Sequence, residues 1–352
     1  MKTLDFFLLV FSIVHFSFDS RAAGICEKHK MKFGLFSMKS DGTELTLLRE
    51  TTGPTSLAFV HVSPNGKKIV FSRCIEDQNK DCICDRKDYF TREIVVSDLD
   101  GKNEVVASAN KGGFNHYPNW SPDGSAVTFI HSQAPYMYQA GIYKFELNTK
   151  TMSKLVDEPN VMETDHYWNK DGSLTFLQNP IVDGQVTEPN NLFVGKINKL
   201  ETSVKLTDFK DGLGDHCCAA DPKLSPDLKT LSYAYFRSLV KVKQTEVANW
   251  DIILKSGDKI KYLGRESAED YFPMWNEDSS RLMWVSYSNE TRKYSLGFYD
   301  FKTDKENLVD MIGEKVEFKT KTGGFLFGNI SWADWLHPKK DTVIFSGTYV
   351  AW

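Results

Sequence analysis

One short turn recurs six times in this chain, and it constrains the fold more than any other feature. Its clearest copy is Trp120-Ser121-Pro122-Asp123-Gly124, followed by the apolar run Val127-Thr128-Phe129-Ile130. An earlier copy is Val62-Ser63-Pro64-Asn65-Gly66, and later ones are Trp168-Asn169-Lys170-Asp171-Gly172, Leu224-Ser225-Pro226-Asp227, Trp275-Asn276-Glu277-Asp278 and Leu336-His337-Pro338. Each leads into a β-rich run, and successive copies start 48 to 61 residues apart. Proline presets φ for the second position of a type I turn, Asp or Asn caps its own backbone, and Gly accepts the left-handed exit. Each copy therefore predicts a tight hairpin, and the Trp before the turn is suited to packing between adjacent sheets.

A second piece lies between these turns: a strand, a polar turn and another strand. Examples are Phe33-Gly34-Leu35-Phe36 to Leu45–Leu48, Ile94-Val95-Val96 to Val105-Val106, and Leu296-Gly297-Phe298-Tyr299 to Leu308-Val309. The chain opens with one of these outer hairpins and closes with an inner one. A closed ring needs that offset, because the N-terminal strands then complete the last unit and leave only short edges. A β-sandwich requires neither the offset nor six near-equal periods. The expectation is an all-β, six-bladed β-propeller with four-stranded blades, N-terminal strands closing the last blade, formed by residues 23–352 as one domain. Phe71, Phe129, Phe176 and Trp284 recur at matched positions and read as blade core.

Residues 1–22 have the three parts of a secretory signal peptide: Lys2, an apolar run from Phe6 to Phe18, then a small and polar stretch with cleavage expected after Ala22. That apolar run is shorter than the roughly 20 residues a span needs, so no membrane span is expected. The protein is expected to be secreted and extracellular, or periplasmic in a bacterium. Export makes disulfides the expected state of Cys26, Cys74, Cys82, Cys84, Cys217 and Cys218, with no pairing singled out. Asn289-Glu290-Thr291 and Asn329-Ile330-Ser331 are glycosylation acceptors. The formal net charge is −4 with Lys and Arg scattered, so nucleic acid is not an expected partner. A monomer is expected.

The Trp-Ser-Pro-Asp-Gly element, best matched by residues 120–124 and 63–66, resembles the TolB-type family of WD-repeat-like propellers over about residues 30–350. That resemblance implies the fold and leaves the role open. Within the family, TolB proteins act through protein–protein contacts and carry an extra N-terminal domain, for which this chain, with repeats from about residue 33, has no counterpart. Prolyl-type oligopeptidases add a hydrolase domain with a G-x-S-x-G elbow, which the sequence lacks. Oligogalacturonate lyases resemble it as bare propellers with a manganese site of several His and a Gln.

Three histidines enter successive inner strands, in Asn115-His116-Tyr117, Asp165-His166-Tyr167 and Asp215-His216-Cys217. Neutral imidazoles beside carboxylates are ligands for Mn, Zn or Fe, so His116, His166 and His216 are the candidate metal set; repeat-derived hydrogen bonding between blades is the competing role. In a lyase, such a metal stabilises charge developing on a uronate while a base takes the α-proton; no motif singles out that base. Asp98-Leu99-Asp100-Gly101 reads as a hairpin turn, and Pro135-Tyr136-Met137-Tyr138 as a loop or contact surface. The leading expectation is a binding scaffold for a protein segment or a glycan, with a metal-dependent carbohydrate lyase as the alternative.

Overall fold

Every repeated turn closes a hairpin, and a computed structural model shows how the hairpins join; it describes residues 32–51, 57–75, 91–108, 113–133, 140–155, 161–182, 185–186, 190–197, 199–209, 219–311 and 325–351. The chain enters as β1 (Lys32–Lys39) and β2 (Thr46–Thr51). A four-stranded antiparallel sheet follows, made of β3 (Ala58–Val62), β4 (Lys68–Cys74), β5 (Arg92–Asp98) and β6 (Val105–Val106). The same up-and-down order recurs in β7 (Gly113–Trp120), β8 (Ala126–Gln133), β9 (Gly141–Glu146) and β10 (Thr151–Lys154). Next come β11 (Val161–Trp168), β12 (Ser173–Val182), β13 (Gln185–Val186), β14 (Asn191–Lys196) and β15 (Lys199–Lys205), in which β11-β12-β14-β15 is the four-strand path and β13 pairs with β12.

Two further meanders are β16 (Ala219–Leu224), β17 (Leu231–Val242), β18 (Thr245–Ser256) and β19 (Lys259–Leu263), then β20 (Ala268–Trp275), β21 (Arg281–Ser288), β22 (Lys293–Asp300) and β23 (Lys305–Asp310). One parallel bridge, Trp250 with Glu269, joins them into one sheet. The last strands, β24 (Phe325–Trp335) and β25 (Thr342–Ala351), pair with the first in the order β2-β1-β25-β24. Tyr349 also reaches back to donate its hydroxyl to Glu50 at 2.5 Å. The first strand of each meander contacts the next in the order β3, β7, β11, β16, β20, β24, and β24 contacts β3. These innermost strands form a closed ring. No helix among the described residues is long and apolar enough to cross a membrane.

The turns behave as their residues dictate. Asp123 accepts from the Ser121 hydroxyl at 2.6 Å and the Ser125 amide at 3.0 Å, which holds its carboxyl down at about 2. Gly66, Gly124 and Gly172 leave the turn with φ of +71°, +70° and +81°, whereas Leu228 and Ser279 occupy the same place at +62° and +60°. The sixth copy is displaced by one residue from the sequence reading. Leu336 takes the place of Ser121, its amide bonding to Thr342 as that of Ser121 bonds to Ala126, and the residue in register with Trp120 is Trp335, opposite Val343.

That register explains the recurring Trp. The rings of Trp120, Trp275 and Trp335 are buried and that of Trp168 half-buried, and the indole N–H reaches the preceding sheet: Trp120 donates to His61 O at 3.0 Å and Trp335 to Met274 O at 2.9 Å. Trp275 donates to the Ser232 hydroxyl at 2.8 Å, and Trp168 to the Thr128 hydroxyl at 2.9 Å. Phe71, Phe129, Phe176, Trp284 and Phe345 are fully buried on the second strands, each contributing about 1.5–3 kcal/mol. The largest of them, Trp284, stands opposite Gly297, where a Cβ would come within 2.1 Å of the indole. Cys74 is buried and disulfide-bonded; the other five cysteines lie outside the described residues.

Candidate functional site

Counting back from each register position gives two sets of side chains around the ring. One residue back lie His61, Asn119, Tyr167, Lys223, Met274 and Asp334; three back lie Phe59, Tyr117, Asp165, Asp221, Phe272 and Trp332. Each inner strand carries a bulge in this stretch, and φ is positive at Phe59 (55°), Tyr117 (51°), Asp165 (39°), Asp221 (52°) and Phe272 (59°). Such a conformation is strained for a non-glycine residue and re-aims the side chains that follow.

The second set divides into two halves. Phe272, Trp332, Phe59 and Tyr117 pack in succession, tilted or edge-on, with ring centroids 3.9, 5.1 and 4.5 Å apart. Asp165 and Asp221 complete the circle. Each accepts from the backbone of the next strand, Asp165 from the Asp221 amide and Asp221 from the Phe272 amide, both at 3.4 Å. Asp334 closes the circuit. It accepts from Val62 N at 2.8 Å and Trp335 N at 2.7 Å, and lies 3.4 Å from His61 Nδ1. Lys223 projects into this region 3 % exposed, with its ammonium over the rings of Tyr167 at 5.1 Å and Trp332 at 5.5 Å.

Burial sets the electrostatics. It pushes the Asp165 and Asp221 carboxyls up, Asp221 further because Asp165 repels its charge, while Lys223 holds both down. It pushes the Lys223 ammonium down against the pull of Asp221, Asp334 and Asp165. His61 is lowered by burial despite Asp334, and His166 is lowered by burial and by His61 to about 3, so it is a neutral imidazole.

Above these groups opens a cavity of about 210 Å³. Its walls come from all six repeated turns, and its aromatic surfaces are Trp120, Trp168, Trp275 and Tyr167. A second cavity of about 10 Å³ lies deeper and shares His61 and Asn119 with the first.

The candidate metal ligands are placed as follows. His116 is buried on β7, stacked on Phe114 at 3.9 Å and edge-on to Phe59 at 5.5 Å. His166 lines the inner cavity, with Nε2 2.8 Å from the Thr128 hydroxyl. His216 lies outside the described residues, as does the Pro135–Tyr138 segment. Among the described residues no group of three or more His, Cys, Asp or Glu is arranged to hold a metal ion. Asn289 donates its amide to Ala248 O and Glu269, and Asn329 lies on β24. Asp98-Leu99-Asp100-Gly101 is a hairpin turn, with Asp100 capping Lys102 N at 3.0 Å. Sequence reasoning missed Lys223, Asp165, Asp221, Asp334 and His61 as a cluster; aligning the six turns and reading one and three positions back brings them together.

No family model and no curated protein matches the sequence. Solved structures do match in fold. A protein assigned as TolB from Agrobacterium tumefaciens superposes with a TM-score of 0.61 at 14 % identity, over 90 % of this chain and 98 % of its own. TolB from Acinetobacter baumannii gives 0.53 at 14 % identity, over 80 % of this chain and 63 % of its own. An oligogalacturonate lyase in complex with manganese gives 0.51 at 13 % identity, over 85 % and 78 %. The ring of four-stranded antiparallel units and these likenesses together make the fold of this chain a TolB-like β-propeller.

Proposed function

We propose that this chain is a six-bladed propeller that works as an exported binding scaffold, holding part of a protein segment or glycan in the mouth of its channel. One observation carries the reading: the 210 Å³ cavity takes walls from every repeated turn, so the whole ring is organised around it. A concave site with aromatic walls and a few convergent polar groups is the usual form of a ligand pocket. Export rests on the leader-like residues 1–22. The lyase alternative rests on a ligand set that includes His216, outside the described residues.

The test is intrinsic fluorescence, because three of the lining residues are tryptophans. The secreted protein is titrated with hits from glycan and peptide arrays. A ligand of the mouth changes the emission, and Trp168→Ala weakens it by about 10-fold or more, as expected for a central aromatic contact. Array binding that Trp168→Ala leaves intact places the ligand elsewhere and defeats the proposal.

A further inference from the structure

The mouth cavity ends on a site built for one oxygen atom. The inner cavity, about 10 Å³, shares the wall residues His61 and Asn119 with it and has the room of a single water or hydroxyl. Three polar atoms of its lining, Asp165 Oδ1, Asn119 Oδ1 and His166 Nδ1, are buried without a hydrogen bond, although the Asp165 carboxyl is also reached by the Tyr117 side chain. The orientation of Asn119 is fixed, since its amide nitrogen donates to His166 O at 2.6 Å and Tyr117 O at 3.2 Å. Its oxygen is therefore the atom left without a donor. Lys223 lines the same space and forms no close ion pair among the described residues; its nitrogen lies over the rings of Tyr167 and Trp332, with the Asp221, Asp334 and Asp165 carboxyls acting on it from farther off.

Buried groups in this state call for a partner, because each loses its hydration without replacement. What they call for is chemically specific. Asp165 Oδ1 and Asn119 Oδ1 accept, and Lys223 donates. A carboxylate or phosphate satisfies Lys223 but meets Asp165 and Asp221. An ammonium satisfies the carboxyls but meets Lys223. A neutral hydroxyl donates and accepts at once, so it serves both sides. The walls above are in part aromatic, with the half-buried Trp168 and the cavity-side edges of the buried Trp120 and Trp275, a surface against which the C–H groups of a pyranose ring can pack. The mouth is also smaller than the several hundred Å³ typical of a drug-sized site, which matches one sugar unit.

We infer that the channel mouth binds an uncharged sugar residue, its ring packed beside Trp168 and one hydroxyl inserted between Lys223 and Asp165. The inference rests on the mouth being the ligand site and narrows the ligand to a neutral glycan.

The test uses the full secreted protein. Saturation-transfer NMR and tryptophan emission are recorded with methyl glucoside, galactoside and mannoside, then with the monodeoxy analogues of whichever binds. Galacturonate and a capped lysine amide serve as acidic and basic controls. A neutral glycoside is expected to bind, and one deoxy analogue to bind at least about 10-fold more weakly, the effect of leaving a charged hydrogen-bonding partner unsatisfied. Lys223→Met is expected to weaken the parent sugar and to erase its advantage over that analogue. The analogue series needs no variant, so it holds even if Lys223→Met does not fold. If every deoxy analogue binds like its parent, no hydroxyl is inserted and the inference falls. If only galacturonate or the lysine amide binds, the mouth is the ligand site and the neutral-sugar assignment is wrong. If no probe of any class perturbs the tryptophans up to its solubility, the inner cavity holds only water and this inference is overturned; the broader reading then stands or falls on the array hits and Trp168→Ala.

Discussion

Replacing Lys223 by Met is expected to make stability depend on pH in a direction that a simple packing defect cannot reproduce. Met keeps the length and apolar character of the stem, so the change is mainly the loss of one buried charge. In the folded protein burial raises the Asp165 and Asp221 carboxyls, and Lys223 holds them down. In the unfolded chain both titrate near the usual carboxylate value. A carboxyl raised by folding contributes stability that is complete below its unfolded pKa and lost as pH rises through its folded one. Without Lys223 the folded values climb further, so the variant goes on losing stability over a wider range of pH. The ammonium itself is lowered by burial, so the charged form disfavours folding, and Met removes that penalty. At about pH 4, with the carboxyls neutral, the variant is therefore expected to be as stable as the wild type or more stable by about 1 kcal/mol. At about pH 8 it is expected to be less stable by about 3 kcal/mol, the usual consequence of leaving buried carboxylates without their cation. With a urea m-value of about 3 kcal/mol/M, that is a midpoint lower by about 1 M. Equilibrium urea unfolding followed by fluorescence at the two pH values measures it. The same deficit at both pH values, or a larger one in acid, would refute the electrostatic account.

Three further outcomes follow from the fold and the site. Leu228→Gly relieves a left-handed backbone at φ 62°, where three sister turns carry Gly, and is expected to raise stability by about 1 kcal/mol in the same assay. Gly297→Ala drives a methyl group to within 2.1 Å of the Trp284 indole and is expected to destabilise by about 3 kcal/mol, with partial rescue by Trp284→Phe in thermal unfolding. If the chain is a binding scaffold without a metal, elemental mass spectrometry of gently purified wild-type and His166→Ala protein finds no stoichiometric Mn, Zn or Fe; about one ion per chain, lost in the variant, would make the metal site real and direct the lyase alternative to a test on acidic oligosaccharides.

The scaffold was legible because its signals are local. Ser121, Pro122, Asp123 and Gly124 each state their turn position, and an outer hairpin at Phe33 with an inner one near Val343 states how the ends meet. The sixth turn lies one residue earlier than its sequence suggests, because Leu336 stands where the other copies have Ser or Asn, and only pairing with β25 reveals Trp335 as the partner of Val343. The channel chemistry was harder to read for a different reason. His61, Lys223 and Asp334 come from three strands far apart in sequence, and each is aimed inward by a bulge that interrupts the alternation of side chains. The histidine motifs drew attention instead, yet His116 is spent on aromatic stacking with Phe114.

The pairing of β1 with β25 has a consequence for how the protein is made. Glu50 and Tyr349, hydrogen-bonded in the finished ring, are 299 residues apart. A ribosome delivers the meanders one after another, and each can pair its own strands as it emerges, but β1 and β2 must wait for a partner made nearly the whole ring later. The final seam therefore closes only after every other unit has been made, with a large chain-closure entropy, and it is slow for the same reason that other long-range β pairings are slow. Until then two unpaired strand edges stay open to other chains, so the unclosed ring is the species in which misassembly between copies is expected to start.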